Sequence, residues 1–459
     1  MGRIVDASPK ASSEIEMLSR IGYNLNSAIS DIIDNSLHAL HLNKQKKPSI
    51  YIEILPGLDS PKITIRDNGI GMNAKELKES MIIGCKNPND LRGEMDLGRF
   101  GSGMKTASFS QASILTVISK KSGNISGTRF NKELIKKTNR WDLELLNKDD
   151  FKELHIEELK KQNCGTLVIW DNLTRYNDQD SSHQDNEKLI NKDIVDLQKH
   201  LSHFFHRFMG TKKISFFVNG TLLEPFDPFL STRPGYQEGT KEKFRTRNGD
   251  SVNTQYHIIP HVSKLTTQEL DQLGGKQELT SKQGLYIYRA DRLIIEGDWM
   301  GINPKTEMNG LVRIEVNLPT SLDKDWSIDV QKSKLELPPR IKSVLKRLSS
   351  EPRKRSIKEI KYKGDKEKAN TYWSINDDSR ENIITYEIST ENKEVVNLVN
   401  KLDKESLKAL NLYLKELALN LPLNHIANSI NTKPKDIKLD SIDFSILEEE
   451  LKTIWKNKV

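Results

Sequence analysis

Apolar residues recur at intervals of three and four over residues 13–42. This period is typical of an amphipathic helix, so the pattern predicts one long helix here. Two short segments rich in β-branched residues follow at 49–55 and 62–67, and a turn rich in proline and glycine separates them. The pattern therefore predicts a helix followed by a pair of strands.

The patterns from there to residue 208 mix strands and helices without a regular alternation of the two. Strands are predicted at 113–120, 138–146 and 165–171, and a helix is predicted near 189–208. A mixture of this kind favours an α+β sandwich over a parallel βαβ sheet.

A second set of β-rich segments begins at about residue 213 and predicts a second domain. Its strands are expected at 214–220, 284–290, 292–297 and 311–319. Pro338 and Pro339 then open a predicted helix, where proline is favoured because N–H groups of the first turn have no helical partner.

The remaining residues combine a basic stretch with amphipathic helical segments at 393–420 and 443–456. We therefore expect three regions, with boundaries at 1–208, 209–348 and 349–459.

Composition supports a protein of several globular domains. A length of 459 residues exceeds what one hydrophobic core usually serves. No apolar run approaches a membrane span, and the first residues lack the apolar core of a signal peptide, so a cytoplasmic location is the expectation. Cys85 and Cys164 are the two cysteines, too few for a disulfide framework or a cysteine zinc site.

Positive charge is concentrated in one segment. The whole chain carries a formal net charge of +7, yet residues 340–368 hold 12 basic and 4 acidic side chains. Such a segment attracts phosphate backbones through counterion release and is consistent with nucleic-acid binding. A solvated helix and linker is the alternative that the sequence leaves open.

Polar residues interrupt the predicted first helix. Asp31 and Asn35 are four residues apart and share one helix face, and Asp34 lies about 100° around the helix from Asn35. Alone, this pattern is equally typical of a solvent-exposed helix face.

The segment Arg66–Met72 directly follows a predicted strand. Gly69 and Gly71 allow the backbone to turn and to approach a ligand closely, and Asp67 offers acceptors for an exocyclic amine such as that of adenine. An ordinary turn would show the same Asp-Asn-Gly sequence.

A glycine-rich segment, Gly98–Ser108, precedes a predicted helix beginning at Met104. Backbone N–H groups at such a helix N-terminus bind anions, and Lys105 adds a charge suited to phosphate. The glycine spacing matches neither a P-loop nor a dinucleotide-binding motif, and no βαβ unit surrounds it.

Taken together, D-x-x-x-N, D-x-G-x-G, G-x-x-G-x-G and the pair Gly165-Thr166 resemble, in this order, the GHKL ATPase superfamily. That group includes the gyrase ATPase subunit, MutL, heat-shock chaperones, MORC proteins and sensor histidine kinases. The segment GCKNPNDLRGEMDLGRFGSGMKTAS looks most like MORC and bacterial MORC-like proteins. The resemblance implies an N-terminal Bergerat-type α/β sandwich that binds ATP, a following S5-like transducer domain and a mainly helical C-terminal region.

Site roles follow from this resemblance position by position. Asn35 would hold Mg²⁺ through its amide oxygen, Asp67 would bind the adenine amino group, and Thr166 would support Asp67. The base pocket would be shaped by Gly69, Gly71 and Met72. The ATP lid and its helix would comprise Gly98, Arg99, Phe100, Gly101, Ser102, Gly103, Met104, Lys105 and Thr106.

Two positions depart from the superfamily pattern. Asp31 stands where relatives carry the glutamate that activates water, and aspartate is one methylene shorter, so we expect slow hydrolysis. His38 stands where relatives usually carry an aspartate; a lightly packed surface histidine is the alternative to a role in the site.

The second domain contains a further match. Gln331, Lys332, Lys334 and Leu335 resemble the transducer loop of gyrase and MutL, whose lysine reaches the γ-phosphate. Lys332 is assigned that catalytic role, and Lys334 is the alternative.

The resemblance implies an ATP-gated clamp that forms a homodimer when ATP binds and acts on DNA, in DNA processing or phage defence with a partner such as a nuclease or helicase. The alternative is a chaperone-like or regulatory protein that uses ATP as a switch to recruit a protein.

Overall fold

The computed structural model describes residues 9–43, 47–56, 61–84, 103–154, 156–176, 183–246, 249–322 apart from some positions between 268 and 280, 337–364, 373–378, 383–388 and 402–419. The chain divides into two compact units, Met1–Lys361 and Tyr362–Val459. The predicted mixed α+β architecture is confirmed.

The helices of the described residues are α1 (Ala11–Ser19), α2 (Leu25–Asn43), α3 (Ala74–Met81), α4 (Gly103–Gln111), α5 (Lys132–Thr138), α6 (Asp150–Glu153), α7 (Glu157–Lys161), α8 (His183–Phe204), α9 (His206–Gly210), α10 (Pro339–Leu348), α11 (Ser350–Gly364) and α12 (Lys404–Leu419). The strands are β1 (Ser49–Leu55), β2 (Lys62–Asp67), β3 (Ala112–Lys121), β4 (Asn124–Asn131), β5 (Glu144–Leu145), β6 (Gly165–Leu173), β7 (Ser215–Val218), β8 (Thr221–Leu222), β9 (Gln237–Arg245), β10 (Ser251–Ile258), β11 (Gly284–Arg289), β12 (Arg292–Asp298), β13 (Val312–Leu318), β14 (Trp373–Asp378) and β15 (Ile383–Ile388).

The first sheet has the strand order β5-β4-β3-β6-β2-β1-β7-β8 among the described residues. Every neighbouring pair in it is antiparallel except β1 and β7, which are parallel. One face packs with α1, α2, α4 and α8 around the first hydrophobic core, and short helices α6 and α7 partly cover the other face. This arrangement is the predicted α/β sandwich.

Strand β7 corrects the sequence assignment of segment 214–220. The sequence pattern groups it with the second set of strands, but Ser49–Ile52 of β1 pair with Ser215–Val218 in the first sheet. Its apolar pattern suits either sheet, so only the pairing partner distinguishes them. The first sheet therefore continues past residue 208, and the exact domain boundaries remain predictions.

The single helix predicted over 13–42 is also wrong, because two helices, α1 and α2, occupy this region. The Asn24 side chain accepts the backbone N–H of Ser27 at 2.8 Å, so Asn24 caps the start of α2. Between the helices Tyr23 turns inward and is 8% exposed. The spacing of apolar residues does not reveal the interruption between α1 and α2, because apolar residues of both helices pack into the same core.

The strand predicted at 138–146 is reduced to Glu144–Leu145. Helix α5 runs to Thr138, and Asn139 then adopts a left-handed conformation that ends it. A turn from Arg140 to Asp142 follows, so the alternating residues there do not pair as a strand.

The second sheet has the order β12-β11-β13-β10-β9 among the described residues. Its apolar face forms a second core with α10, whose Ile341 and Leu345 are buried. Pro338 and Pro339 open this helix as predicted. The predicted strands at 284–290, 292–297 and 311–319 are confirmed as β11, β12 and β13.

The C-terminal unit contains an antiparallel hairpin, β14 and β15, and the helix α12. Helix α12 lies within the predicted segment 393–420, whereas segment 443–456 lies outside the described residues. In the part of the chain that the structure describes, no helix is long and apolar enough to cross a membrane.

Candidate nucleotide-binding site

Helix α2 places a pair of carboxylates at the edge of the first core. Asp31 and Asp34 are 4% and 1% exposed. The Tyr23 hydroxyl donates to Asp31 Oδ2 at 2.7 Å. Gly103, at the start of α4, lies close to the same oxygen. A Cβ atom added to Gly103 would be 3.3 Å from Asp31 Oδ2. The predicted water-activating carboxylate therefore lies against the N-terminus of α4.

Asn35 lies on the same helix and is exposed. Its amide nitrogen donates to the Asp31 backbone carbonyl at 3.0 Å, which fixes the side chain with its oxygen as the acceptor. An amide oxygen is a suitable Mg²⁺ ligand, and Mg²⁺ usually takes one or two protein ligands together with phosphates and water. No group of three or more acidic, histidine or cysteine ligands occurs among the described residues. The Asn35 amide oxygen fits an ion that takes its other ligands from phosphates and water.

Arg292, which the sequence analysis did not select, contacts the carboxylates of Asp31 and Asp34. Arg292 of β12, in the second sheet, is 5% exposed and makes an ion pair with Asp34 through Nη1. The same nitrogen lies 3.9 Å from Asp31 Oδ1. Nothing in the local sequence around Arg292 indicates this contact, because the residues are more than 250 positions apart.

Asp67 ends strand β2 and is 4% exposed. The Gly69 N–H donates to its Oδ1 at 2.8 Å, and the hydroxyl of Ser36, on α2, donates to its Oδ2 at 3.0 Å. Burial raises the pKa of Asp67 to about 6, although the donors from Gly69, Ser36 and Thr166 favour its ionised form. The pocket therefore holds a buried acceptor at an energetic cost.

Two glycines near Asp67, Gly71 and Gly165, lie very close to neighbouring backbone atoms. Gly71 has a φ of +67°, and a Cβ there would overlap the Lys120 carbonyl oxygen. Gly165 has a φ of +149°, and a Cβ there would overlap the Asp67 carbonyl oxygen. Both positions require glycine because left-handed backbone and missing space exclude a side chain.

Thr166 and Met72 are linked by a residue that sequence reasoning did not select, Ser119 of β3. The Met72 N–H donates to Ser119 Oγ at 2.8 Å, and this oxygen lies 2.9 Å from Thr166 Oγ1. Thr166 opposes Asp67 in the β2–β6 pairing. The strand also contains Thr116, a second buried polar residue, so the local pattern does not single out Ser119.

Helix α4 carries the last part of the glycine-rich motif. Met104 packs against the first core, and Thr106 is 2% exposed. Lys105 is also 2% exposed, and its ammonium group donates to the carbonyl oxygens of Ser80 and Ile82 at 2.9 and 3.0 Å. In this structure Lys105 joins α4 to the end of α3.

Several assigned residues lie outside the described residues, and their roles stay predictions. They are Gly98, Arg99, Phe100, Gly101, Ser102, Gln331, Lys332, Lys334 and Leu335. His38 is half-buried, and no hydrogen-bond partner of its buried Nδ1 lies among the described residues.

Comparison with known families agrees with this geometry. Residues 23–166 match the family model described as Histidine kinase-, DNA gyrase B-, and HSP90-like ATPase. The matched segment runs from Tyr23 to Thr166, and it therefore includes Asp31, Asn35 and Asp67. The N-terminal part of the chain thus matches a GHKL-type ATPase family, as its motifs predict.

Two curated relatives each match part of the chain. The chain is 28% identical over 156 residues to the chaperone protein HtpG of Geobacter metallireducens and, to the same extent, to that of Geobacter sulfurreducens. Each alignment covers 28% of this chain and 24% of the relative. The chain thus matches about a quarter of the length of these relatives, and the predicted likeness to MORC proteins stays a prediction.

Proposed function

We propose that this protein binds ATP with Mg²⁺ and slowly hydrolyses it to ADP and phosphate, in an ATP-gated homodimer that clamps DNA. The observation that carries the proposal is the position of α2. Through Asp31 it meets the N-terminus of α4, and through Ser36 it meets Asp67. The predicted hydrolytic, phosphate-binding and adenine-binding elements therefore adjoin one helix.

Each described residue has a defined task in this proposal. Asp67 accepts a hydrogen bond from the adenine amino group, while Ser119 and Thr166 hold the strand behind it. Asn35 presents its amide oxygen to the cation that accompanies the phosphates. The N–H groups at the start of α4 face the phosphates, where the helix dipole favours negative charge.

Hydrolysis is assigned to Asp31. Its carboxylate accepts a proton from water as the water oxygen bonds to the γ-phosphorus, and the bond from that phosphorus to the bridging oxygen of ADP breaks. Lys332 stabilises the charge on the transferred group. Because aspartate is one methylene shorter than the usual glutamate, we expect slow turnover.

Asp31→Asn tests this assignment. The variant should lose turnover and keep nucleotide affinity, since the amide cannot accept the proton. Unchanged phosphate release by this variant would place the base elsewhere, and failure of the wild type to bind ATP would refute the ATPase proposal itself.

The DNA client is supported by a basic surface on α10 and α11. Exposed cationic side chains there are Arg340, Lys346, Arg347, Lys354 and Lys358. Lys and Arg clusters of this kind bind phosphate backbones in a manner that depends steeply on salt.

Not every cation of α11 belongs to this surface. Arg353 donates to the side chains of Asn303 and Asn309, so it fixes the helix to the second domain. Arg355 pairs with Glu351 at 2.9 Å. A DNA-binding test should therefore change Lys354 and Lys358.

The clamp itself is tested by measuring dimerisation with and without a non-hydrolysable ATP analogue, in the presence and absence of duplex DNA. ATP-dependent dimers that DNA stabilises are expected. A nuclease, methyltransferase or helicase gene beside the gene for this chain would support a role in DNA processing or antiviral defence.

A second candidate is a chaperone-like switch that recruits a protein. The similarity to HtpG chaperones over 156 residues favours it. ATP-dependent suppression of aggregation of a heat-denatured reporter protein, without duplex binding at low salt, would support this function over the DNA clamp.

A further inference from the structure

The turn between β11 and β12 brings the second sheet to the nucleotide site. Ala290 and Asp291 occupy this turn with φ values of +46° and +68°. Left-handed backbone is costly for residues other than glycine, so contacts around the turn must hold it. Ala290 packs against the first core, and Asp291 pairs with Lys212 at 3.2 Å.

Arg292 follows this turn and enters a closed environment beneath α2. Its guanidinium carbon lies 5.1 Å from the centre of the Phe205 ring, and its Nη1 contacts Asp34. Burial, together with the Arg292 charge, lowers the pKa of nearby His200 to about 3, so this histidine is neutral at physiological pH. Arg292 thus provides the positive charge that faces the carboxylates of α2.

The two oxygens of Asp31 are contacted from different sides. Tyr23 donates to Oδ2 at 2.7 Å, and Arg292 Nη1 lies 3.9 Å from Oδ1. Asp34 in turn anchors the guanidinium group from the next face of α2. A residue of the second sheet therefore lies within ion-pair distance of the Asp31 carboxylate.

We propose that Arg292 is a positioning residue for ATP hydrolysis, which holds the Asp31 carboxylate in the orientation needed to activate water. This inference rests on the proposed ATPase function. A short carboxylate has little freedom to correct a wrong orientation, and a displacement of about 1 Å can lower a rate about 100-fold. Turnover then depends on contact between the second sheet and α2, whereas nucleotide binding through Asp67 does not.

The first test compares Arg292→Met with Arg292→Lys. The methionine variant should lower kcat at least about tenfold, with the Kd for a non-hydrolysable ATP analogue changed less than about threefold. Lysine keeps the positive charge but lacks the planar guanidinium group with its several N–H donors. The kcat of Arg292→Lys should therefore fall between those of the wild type and the methionine variant. Lys212→Met is the matched control, since Lys212 forms an ion pair with Asp291 of the same turn, and the kcat of this variant should equal that of the wild type.

Arg292→Met leaves Asp34 buried without this partner and can lower stability for that reason alone. The double variant Arg292→Met/Asp34→Asn removes both charges and restores neutrality. A folded double variant that still has low kcat supports positioning. A double variant with wild-type kcat overturns it, because Arg292 would then only neutralise Asp34.

The same series separates the inference from the function on which it rests. If Asp31→Asn abolishes turnover and Arg292→Met turns over like the wild type, the positioning role is refuted and the ATPase assignment stands. If the wild type and Asp31→Asn release phosphate equally, the base lies elsewhere and positioning of Asp31 is refuted with it; if the wild type neither binds ATP nor releases phosphate, the ATPase proposal itself fails.

Discussion

Replacing Asp67 with asparagine should make the nucleotide-free protein more stable while it weakens ATP binding. The amide has nearly the same shape and can still accept the Gly69 N–H, and it can donate to the Ser36 hydroxyl, which rotates to accept. The change that alters the pH dependence is the loss of charge, because asparagine does not ionise in the buried site.

The magnitude follows from the pKa. Burial raises the pKa of Asp67 from 3.8 to about 6, about two units, which corresponds to roughly 3 kcal/mol. Below about pH 4 the carboxyl is protonated in both folded and unfolded states and contributes no penalty. Between about pH 4 and 6 the folded state binds more protons than the unfolded state, so stability falls as the pH rises. Above pH 6 the whole penalty is present.

Urea unfolding at several pH values between 4 and 8 measures this difference. The stability of Asp67→Asn relative to the wild type should grow by up to about 3 kcal/mol from pH 4 to pH 6 and then stay constant. Asp196→Asn, the same change at an exposed position of α8, is the control and should show no such trend.

Nucleotide titration supplies the second half of the prediction. Asp67→Asn should bind ATP more than about tenfold more weakly. The substitution replaces one of the two acceptor oxygens with an NH2 group, which donates hydrogen bonds and cannot accept one from the adenine amine. Tight ATP binding by this variant, or a stability difference that does not depend on pH, would refute the reasoning.

Three further predictions concern the rest of the protein. Asp31→Glu should maintain or raise the steady-state rate of phosphate release if reach limits the reaction, and a lower rate would show that the helix places an aspartate better. Gly71→Ala should lower the melting temperature and weaken ATP binding, because its Cβ would overlap the Lys120 carbonyl; wild-type values for both would contradict the close contact. Lys354→Gln/Lys358→Gln should lower duplex affinity and flatten its salt dependence without changing ATP affinity in the absence of DNA, and no duplex binding by the wild type at about 50 mM salt would end the DNA proposal.

Local sequence patterns determined much of the nucleotide site. The Asp67-x-Gly69-x-Gly71 segment follows its strand as predicted, because close backbone approach and left-handed φ leave glycine as the residue that fits. Asp31 and Asn35 share a helix face through the helical repeat alone. The α10 helix begins at its prolines for the same kind of local reason.

Tertiary structure decided what depends on partners distant in sequence. Strand β7 joins the first sheet because its pairing partner is β1, while an apolar strand pattern does not specify a partner. Ser119 reaches Thr166 because β3 lies beside β6. Arg292 meets Asp31 and Asp34 because the β11–β12 turn packs against the first core, and no periodicity or spacing encodes a contact between α2 and a strand of the second sheet. The sequence thus determines which side chains are available to the site, and packing determines which charged groups lie beside them.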